Sequence, residues 1–348
     1  MKKLALAIAA ALALSATAAQ ARDNIEIVGS STVYPFTTAV AETFAKKTGN
    51  PAPKVESTGT GGGMKLFCAG AGVETPDLTN ASRRMKKGEF EDCKKNGVDA
   101  ITEIKMGYDG LTLAQSKSGD EFKNFTLKDL YMGLAKDVPN EKGELVPNTA
   151  KTWKEVNAEL PDVKIEVIGP PPTSGTRDSF NELGMEGGCK KIDSMKALKE
   201  KDEKAFKAAC QTIREDGAYV EAGENDNLIV QKLEANPKAL GAFGFSFLEQ
   251  NEDKLRGLAI GGVAPSPEAV IDGSYPMSRS MYVYVKNSHV DQVKGIKEFI
   301  AEYVSEAAMG ADGYLADKGL VPVDAKELPE IAKTATALTA MTAVGLKK

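Results

Sequence analysis

The sequence predicts an α/β protein of two lobes, each a mainly parallel sheet with helices on both faces, crossed twice by the chain. Three observations lead there. Strand-like and helix-like stretches alternate along the chain. About 327 of the 348 residues follow an N-terminal leader, more than one hydrophobic core usually supports. Three Gly- and hydroxyl-rich turns each give way to apolar residues at helical spacing.

Taken in order, residues 24–28 are strand-like, and 35–47 form a helix that stops at Gly49. An extended stretch at 54–57 precedes a helix starting at Met64. Residues 101–113, ITEIKMGYDGLTL, are a long extended run broken by Gly107 and Gly110, and predict the first crossing between lobes. The apolar run MYVYV, 281–285, predicts the second. Between them lies a complete unit: a helix at 127–132, a strand at 165–168, the third turn and a helix from Thr176. Lobe 1 is therefore expected to comprise 22–108 and 281–348, and lobe 2 109–280. The polar stretch 136–151, with Pro139, Gly143 and Pro147, reads as an exposed loop. The Lys- and Glu-rich stretch 190–209 reads as a solvated helix. The tail from Lys326 is rich in Ala and Thr at helical spacing.

The leader sets the compartment. Met1-Lys2-Lys3 is a short basic region, residues 4–14 are apolar, and Ala19-Gln20-Ala21 is a small-x-small cleavage signal. The apolar run is too short to span a bilayer, which takes about 20 residues. Export to the periplasm with cleavage after Ala21 follows. Without Lys2 and Lys3, 42 basic side chains face 49 acidic ones, a net charge of −7. That balance argues against nucleic acid or an anionic membrane as a partner. Any attraction for an anion must be local.

Four cysteines, Cys68, Cys93, Cys189 and Cys210, in an oxidising compartment predict disulfides. Of the three possible connectivities, Cys68–Cys93 with Cys189–Cys210 keeps each bridge inside one expected lobe. Zinc is disfavoured, because there is no CxxC and the single histidine, His289, is remote from every cysteine. His289 itself stands in the polar turn Lys286-Asn287-Ser288-His289 and reads as exposed. No cofactor is implied.

The chemistry concentrates in the three turns: Gly29-Ser30-Ser31-Thr32-Val33-Tyr34-Pro35, Ser57-Thr58-Gly59-Thr60-Gly61-Gly62-Gly63 and Thr173-Ser174-Gly175-Thr176-Arg177. A helix N-terminus offers unpaired N–H groups and partial positive charge, and neighbouring hydroxyls add donors. One such turn is an ordinary cap; three suggest convergence on a small oxyanion. Residues 59–65 are no nucleotide loop, since the spacing fails and Leu66 stands where Ser or Thr would hold magnesium. A Ser-His-Asp hydrolase is unsupported, with one histidine and no GxSxG. Arg83 and Arg84, after Ser82, are either exposed loop charges or anion donors. Arg177 can meet an anion bidentately or pair with Asp178 or Glu182 on its own helix.

In this order behind a leader, several pieces carry a family likeness: GSSTVYP, GTGGGMK at 59–65, TLKDLYMG at 126–133, SGTRDSF at 174–180, Asn225-Asp226-Asn227, and NPKALGAFGFSF at 236–247. Over nearly its whole length the chain resembles the periplasmic phosphate-binding proteins of ABC transporters. The resemblance implies a two-lobe, type II-like binding-protein fold with two crossover segments, phosphate held in the cleft, a membrane ABC permease as partner, and a monomer. Carried over by position, it implies donors from Ser31, Thr32 and Val33, from Thr60 and Ser82, and from Ser174, Gly175 and Thr176.

Two departures bear on selectivity. In the better-known branch a carboxylate follows the serine matching Ser82 and accepts the proton of hydrogen phosphate; here Arg83 stands there. That branch also carries an arginine shortly before the third turn, where this chain has Pro170, Pro171 and Pro172. Arg83 and Arg177 are therefore expected to supply the guanidinium, with Arg83 facing the anion and Arg84 turned to solvent. Asp109 is the expected proton acceptor, although a residue before Gly110 can also serve simply to form a turn. The expected function is phosphate capture for a permease. Its rivals are binding of sulfate or molybdate, a secreted phosphoester hydrolase, and an adhesion or scaffold role.

Overall fold

In a computed structural model, residues 22–223 and 226–347 are described. The leader with its cleavage site, and Asn225, lie outside them. The strands in chain order are β1 Glu26–Gly29, β2 Lys54–Ser57, β3 Leu78–Ala81, β4 Ile101–Ser116, β5 Asp137–Pro139, β6 Leu145–Pro147, β7 Val167–Gly169, β8 Tyr219–Glu221, β9 Leu240–Gly244, β10 Leu255–Gly257 and β11 Ser278–Lys286.

The long strand β4 joins the two halves of one sheet, ordered β2-β1-β3-β11-β4-β9-β7-β8 with β10 also on β4. Its residues 101–110 pair antiparallel with β11, and from Leu111 it pairs with β9. The neighbours β2, β1 and β3 on one side, and β9, β7 and β8 on the other, are parallel. This is the two-lobe α/β arrangement with two crossing segments. The 4–11 ladder slips by one residue between Met281 and Tyr282, opposite Met106. Such a bulge turns the side-chain alternation beyond it. Gly107 adopts φ +149°, and a Cβ there would lie 2.8 Å from the Val321 carbonyl oxygen, so the crossing strand needs glycine at this point.

Helices cover both faces. The helix Tyr34–Thr48 starts with Pro35 in its first turn and ends on left-handed Gly49, as the sequence predicts. It buries Phe36, Val40 and Phe44, and Phe44 meets Phe299 edge-on at 5.7 Å. Each such buried side chain contributes about 1.5–3 kcal/mol. This core cluster continues past β4 to Ile229, Leu233 and Phe243. A second cluster, around Trp153, Phe180 and Phe206, packs the opposite face of lobe 2. Both disulfides pair as expected, Cys68–Cys93 and Cys189–Cys210. They close loops of 25 and 21 residues, a size for which the chain-entropy argument gives about 3 kcal/mol each.

Several local expectations need correction. The stretch read as a loop at 136–151 holds the hairpin β5–β6. The solvated helix at 190–209 is two helices, Asp193–Lys201 and Glu203–Gln211, which bury Met195, Phe206 and Cys210. The tail packs through helix Leu328–Thr336, burying Leu328 and Ala335. His289 is not exposed but fully buried. Its Nδ1 lies 2.6 Å from Asp77 Oδ1 and its Nε2 3.1 Å from the Ala71 carbonyl oxygen. The reason is Asp77, a buried carboxylate that also accepts from the Glu26 amide and the Arg22 guanidinium. A buried acid needs such partners, and the turn that looked polar supplies one. Lys286 is buried beside it, with Nζ 2.7 Å from the Gly70 carbonyl oxygen. Burial pushes its ammonium down from 10.5 to about 8, against the opposing pull of Asp77.

Candidate functional site

The three turns converge where the crossing strands pass between the lobes. The first turn leads into helix Tyr34–Thr48, the second into Thr60–Phe67 and the third into Gly175–Ser179. Ser174 caps the last of these by accepting from the Thr176 amide at 3.2 Å. A Cβ on Gly175 would lie 2.7 Å from the Ser31 carbonyl oxygen, so the third turn lies directly against the first. The amides of Ser31, Thr32 and Gly175 have no protein hydrogen-bond partner among the described residues. Val33 is buried, and its amide points to Ser30 Oγ at 3.4 Å. Thr60 and Ser82 form a pair, Oγ1 to Oγ 3.0 Å, and the Ser82 amide donates to Thr60 Oγ1 at 3.1 Å.

At the junction lies Arg279, a residue the sequence reading did not select. In the β4–β11 ladder it stands opposite Asp109. Its Nε donates to Asp109 Oδ2 at 3.3 Å, and its Nη2 donates to Thr32 Oγ1 and Ser179 Oγ, both at 2.9 Å. Its Nη1 binds Glu182. Ser179 Oγ in turn donates to Asp109 Oδ2 at 2.6 Å and lies 3.3 Å from Thr32 Oγ1. One cluster thus draws a hydroxyl from each lobe and a charge from each crossing strand. Asp109 Oδ1 has no protein partner among the described residues, and Asp109 lines a cavity of about 680 Å³ shared with Ser31, Thr32, Ser174, Gly175 and Thr176. Arg279, Thr60, Ser82 and Arg83 line a second cavity of about 600 Å³.

The two arginines expected at the anion are engaged elsewhere. Arg83 holds Glu89 bidentately, at 2.9 and 2.7 Å. This hydrogen bond raises the Arg83 pKa further. Burial disfavours charge on Glu89, but Arg83 and the Lys86 amide outweigh it and hold the carboxyl below its usual range. Arg177 lines neither cavity. Its guanidinium stacks 4.1 Å from the Tyr219 ring centre and donates to the Pro170 carbonyl oxygen at 3.1 Å. Among the described residues it pairs with neither Asp178 nor Glu182; the nearest carboxylate is Glu221, at 3.9 Å. Arg84, expected to face solvent, binds Glu103 with Nε at 3.0 and 2.9 Å. Sequence signals for the missed residues existed. Arg279 is a lone charge at the start of an apolar crossing strand, and Ser179 stands four residues after Gly175 on the same helix face.

The sequence matches the family model described as the PBP superfamily domain over residues 14–307. It is 31% identical over 327 residues to the protein SphX of Synechococcus elongatus, covering 92% of this chain and 83% of that one. It is 30% identical over 310 residues to the phosphate-binding protein PstS of Staphylococcus saprophyticus, covering 87% and 81% respectively. Its fold matches the crystal structure of a possible phosphate binding protein from Planctomyces limnophilus, with a TM-score of 0.72 and 27% identity. That match covers 91% of this chain and 99% of the other. The chain belongs to the PBP superfamily, in the family of phosphate-binding proteins that these relatives represent. Among the described residues no helix is long and apolar enough to cross a membrane.

Proposed function

We propose that this protein captures inorganic phosphate outside the cytoplasm and delivers it to a membrane ABC permease, without covalent chemistry. The observation that carries the reading is the Thr32–Ser179–Arg279–Asp109 cluster, in which neutral donors, one cation and one acceptor meet between the lobes. Phosphate would sit against this cluster, with the free amides of Ser31, Thr32 and Gly175 and the hydroxyls of Thr60, Ser82, Ser174 and Thr176 around it. Arg279 would supply the guanidinium in place of Arg83 and Arg177.

Asp109 would set the selectivity. Hydrogen phosphate can donate its proton to the open oxygen Oδ1; sulfate cannot, and two acceptors would then face each other unpaired in a dry site. Molybdate as ligand is disfavoured on the same ground. The lobes, 22–108 with 281–348 and 109–280, would close on the ligand because the third turn meets the first only when closed. Cleavage after Ala21, residence in the periplasm and a monomeric state complete the proposal.

Calorimetric titration of the ligand-stripped mature protein tests it. One phosphate should bind about tenfold or more tightly than sulfate, a gap of about 1.4 kcal/mol. Equal or stronger sulfate binding would overturn the assignment.

A further inference from the structure

The second cavity is larger than one tetrahedral anion needs. Its volume of about 600 Å³ falls in the range of pockets that hold drug-sized ligands, roughly 300–1,000 Å³. Arg279, Thr60 and Ser82 line it together with residues of both lobes, among them the exposed Lys86. Six cations and three carboxylates line it, in a chain whose net charge is −5. The local field is therefore opposite in sign to that of the molecule.

Most of these cations are answered by the protein. Arg83 is held by Glu89, Lys190 by Glu186 at 2.6 Å, and Lys207 lies 3.5 Å from Glu203. Lys86 and Lys199 have no carboxylate partner among the described residues, and they come from opposite lobes. Two such ammonium groups lining one cavity repel each other unless an anion lies between them. Their supports are built for position. Lys199 is half-buried with Nζ 5.5 Å from the Phe206 ring centre, and the following helix, Glu203–Gln211, is tied through Cys210 to Cys189. Lys86 immediately precedes helix Lys87–Lys95, which carries Cys93, bonded to Cys68 at the end of the second-turn helix. The lining holds no aromatic ring, which a nucleoside would use for stacking.

We propose that the outer part of this cavity is an anion subsite for the second phosphoryl group of a condensed phosphate, diphosphate in the simplest case. The first phosphoryl would be held at Arg279, which lines this cavity and touches Asp109 and Thr32 of the first cavity, so the inference rests on reading the cleft as a phosphate site. Bound this way, the ligand bridges Lys86 and Lys199 and holds the lobes together from the mouth as well as from the junction.

The test is competition calorimetry on the ligand-stripped full mature protein with orthophosphate, methylenediphosphonate, which cannot hydrolyse to orthophosphate, and glycerol 3-phosphate. Methylenediphosphonate should bind once per chain and be displaced by orthophosphate. Exchanging both lysines, Lys86→Gln with Lys199→Gln, should weaken methylenediphosphonate about tenfold while orthophosphate changes less than about threefold. Binding of orthophosphate without methylenediphosphonate overturns the subsite and leaves phosphate capture standing. Equal binding of glycerol 3-phosphate, or no response to the double exchange, also overturns it. Failure of both phosphates to bind overturns subsite and capture together.

Discussion

Arg279, on a crossing strand, and Arg177, at the end of the third turn, are two largely buried guanidiniums whose surroundings differ in kind. Arg279 faces two hydroxyls and two carboxylates between the lobes. Arg177 faces the Tyr219 ring and a backbone carbonyl inside lobe 2, and among the described residues its Nε has no hydrogen-bond partner. Burial alone therefore does not make an arginine a ligand. What matters is whether its N–H groups point to acceptors that an anion can replace or to fixed packing that it cannot.

The largest expected effect is on Arg279. Arg279→Ala should weaken phosphate binding about 30-fold or more, because truncating a buried charged partner costs about 2–5 kcal/mol. Isothermal titration of the variant checks this, and a wild-type affinity would return the guanidinium role to another residue. Next, Asp109→Asn should narrow the phosphate-to-sulfate ratio about tenfold, since the amide can donate to either anion. An unchanged ratio places the acceptor elsewhere. Arg177→Ala should instead lower folding stability by about 1–3 kcal/mol through the lost stacking on Tyr219 and the lost bond to the Pro170 carbonyl, with phosphate affinity within about threefold. Denaturant unfolding and titration together read both quantities, and a large loss of affinity would erase the contrast drawn here.

Lys286 extends the comparison to a buried cation held chiefly by neutral acceptors. Its folded pKa of about 8 lies below its ordinary value of 10.5. Between these values the unfolded chain binds more protons, so stability should rise as pH climbs from about 8 towards 10.5. Lys286→Met should lack this rise in urea-melt midpoints taken across that window; an identical slope in both proteins would refute the buried charge as its source. The smallest effect is expected at Arg83. With its guanidinium committed to Glu89, Arg83→Ala should change phosphate affinity less than about threefold in the same titration.

How much of this was legible in the sequence follows from what each signal measures. The extended run at 101–113 and the apolar run at 281–285 marked the strands found at Ile101–Ser116 and Ser278–Lys286, because both are buried along most of their length. The turns were legible because glycine and small hydroxyl residues mark helix starts whatever the tertiary context. The cysteine pairing followed from proximity along the chain. What failed was side-chain direction. Arg83 follows Ser82 and Arg177 ends the third turn, but a guanidinium reaches far enough to choose its own partner, and here the partners are Glu89 and Tyr219. Asp109 acquires its partners only from register, which depends on a one-residue slip near Met106 that periodicity does not reveal. His289 looked exposed because its turn is polar, whereas its burial is decided by Asp77, more than two hundred positions away.

The placement of Asp109 and Arg279 on the crossing strands separates arrival from enclosure. Both charges face each other on the strands that join the lobes, so in the closure proposed above they would stay together before and after the lobes meet. The hydroxyls and amides of the first and third turns stand on separate lobes and would assemble only as those lobes close. An anion would thus meet Arg279 and the proton acceptor Asp109 first, and be enclosed by the donors of the turns afterwards. Stopped-flow binding should accordingly show a salt-sensitive encounter that Thr176→Val leaves intact and a later, salt-insensitive step that it slows.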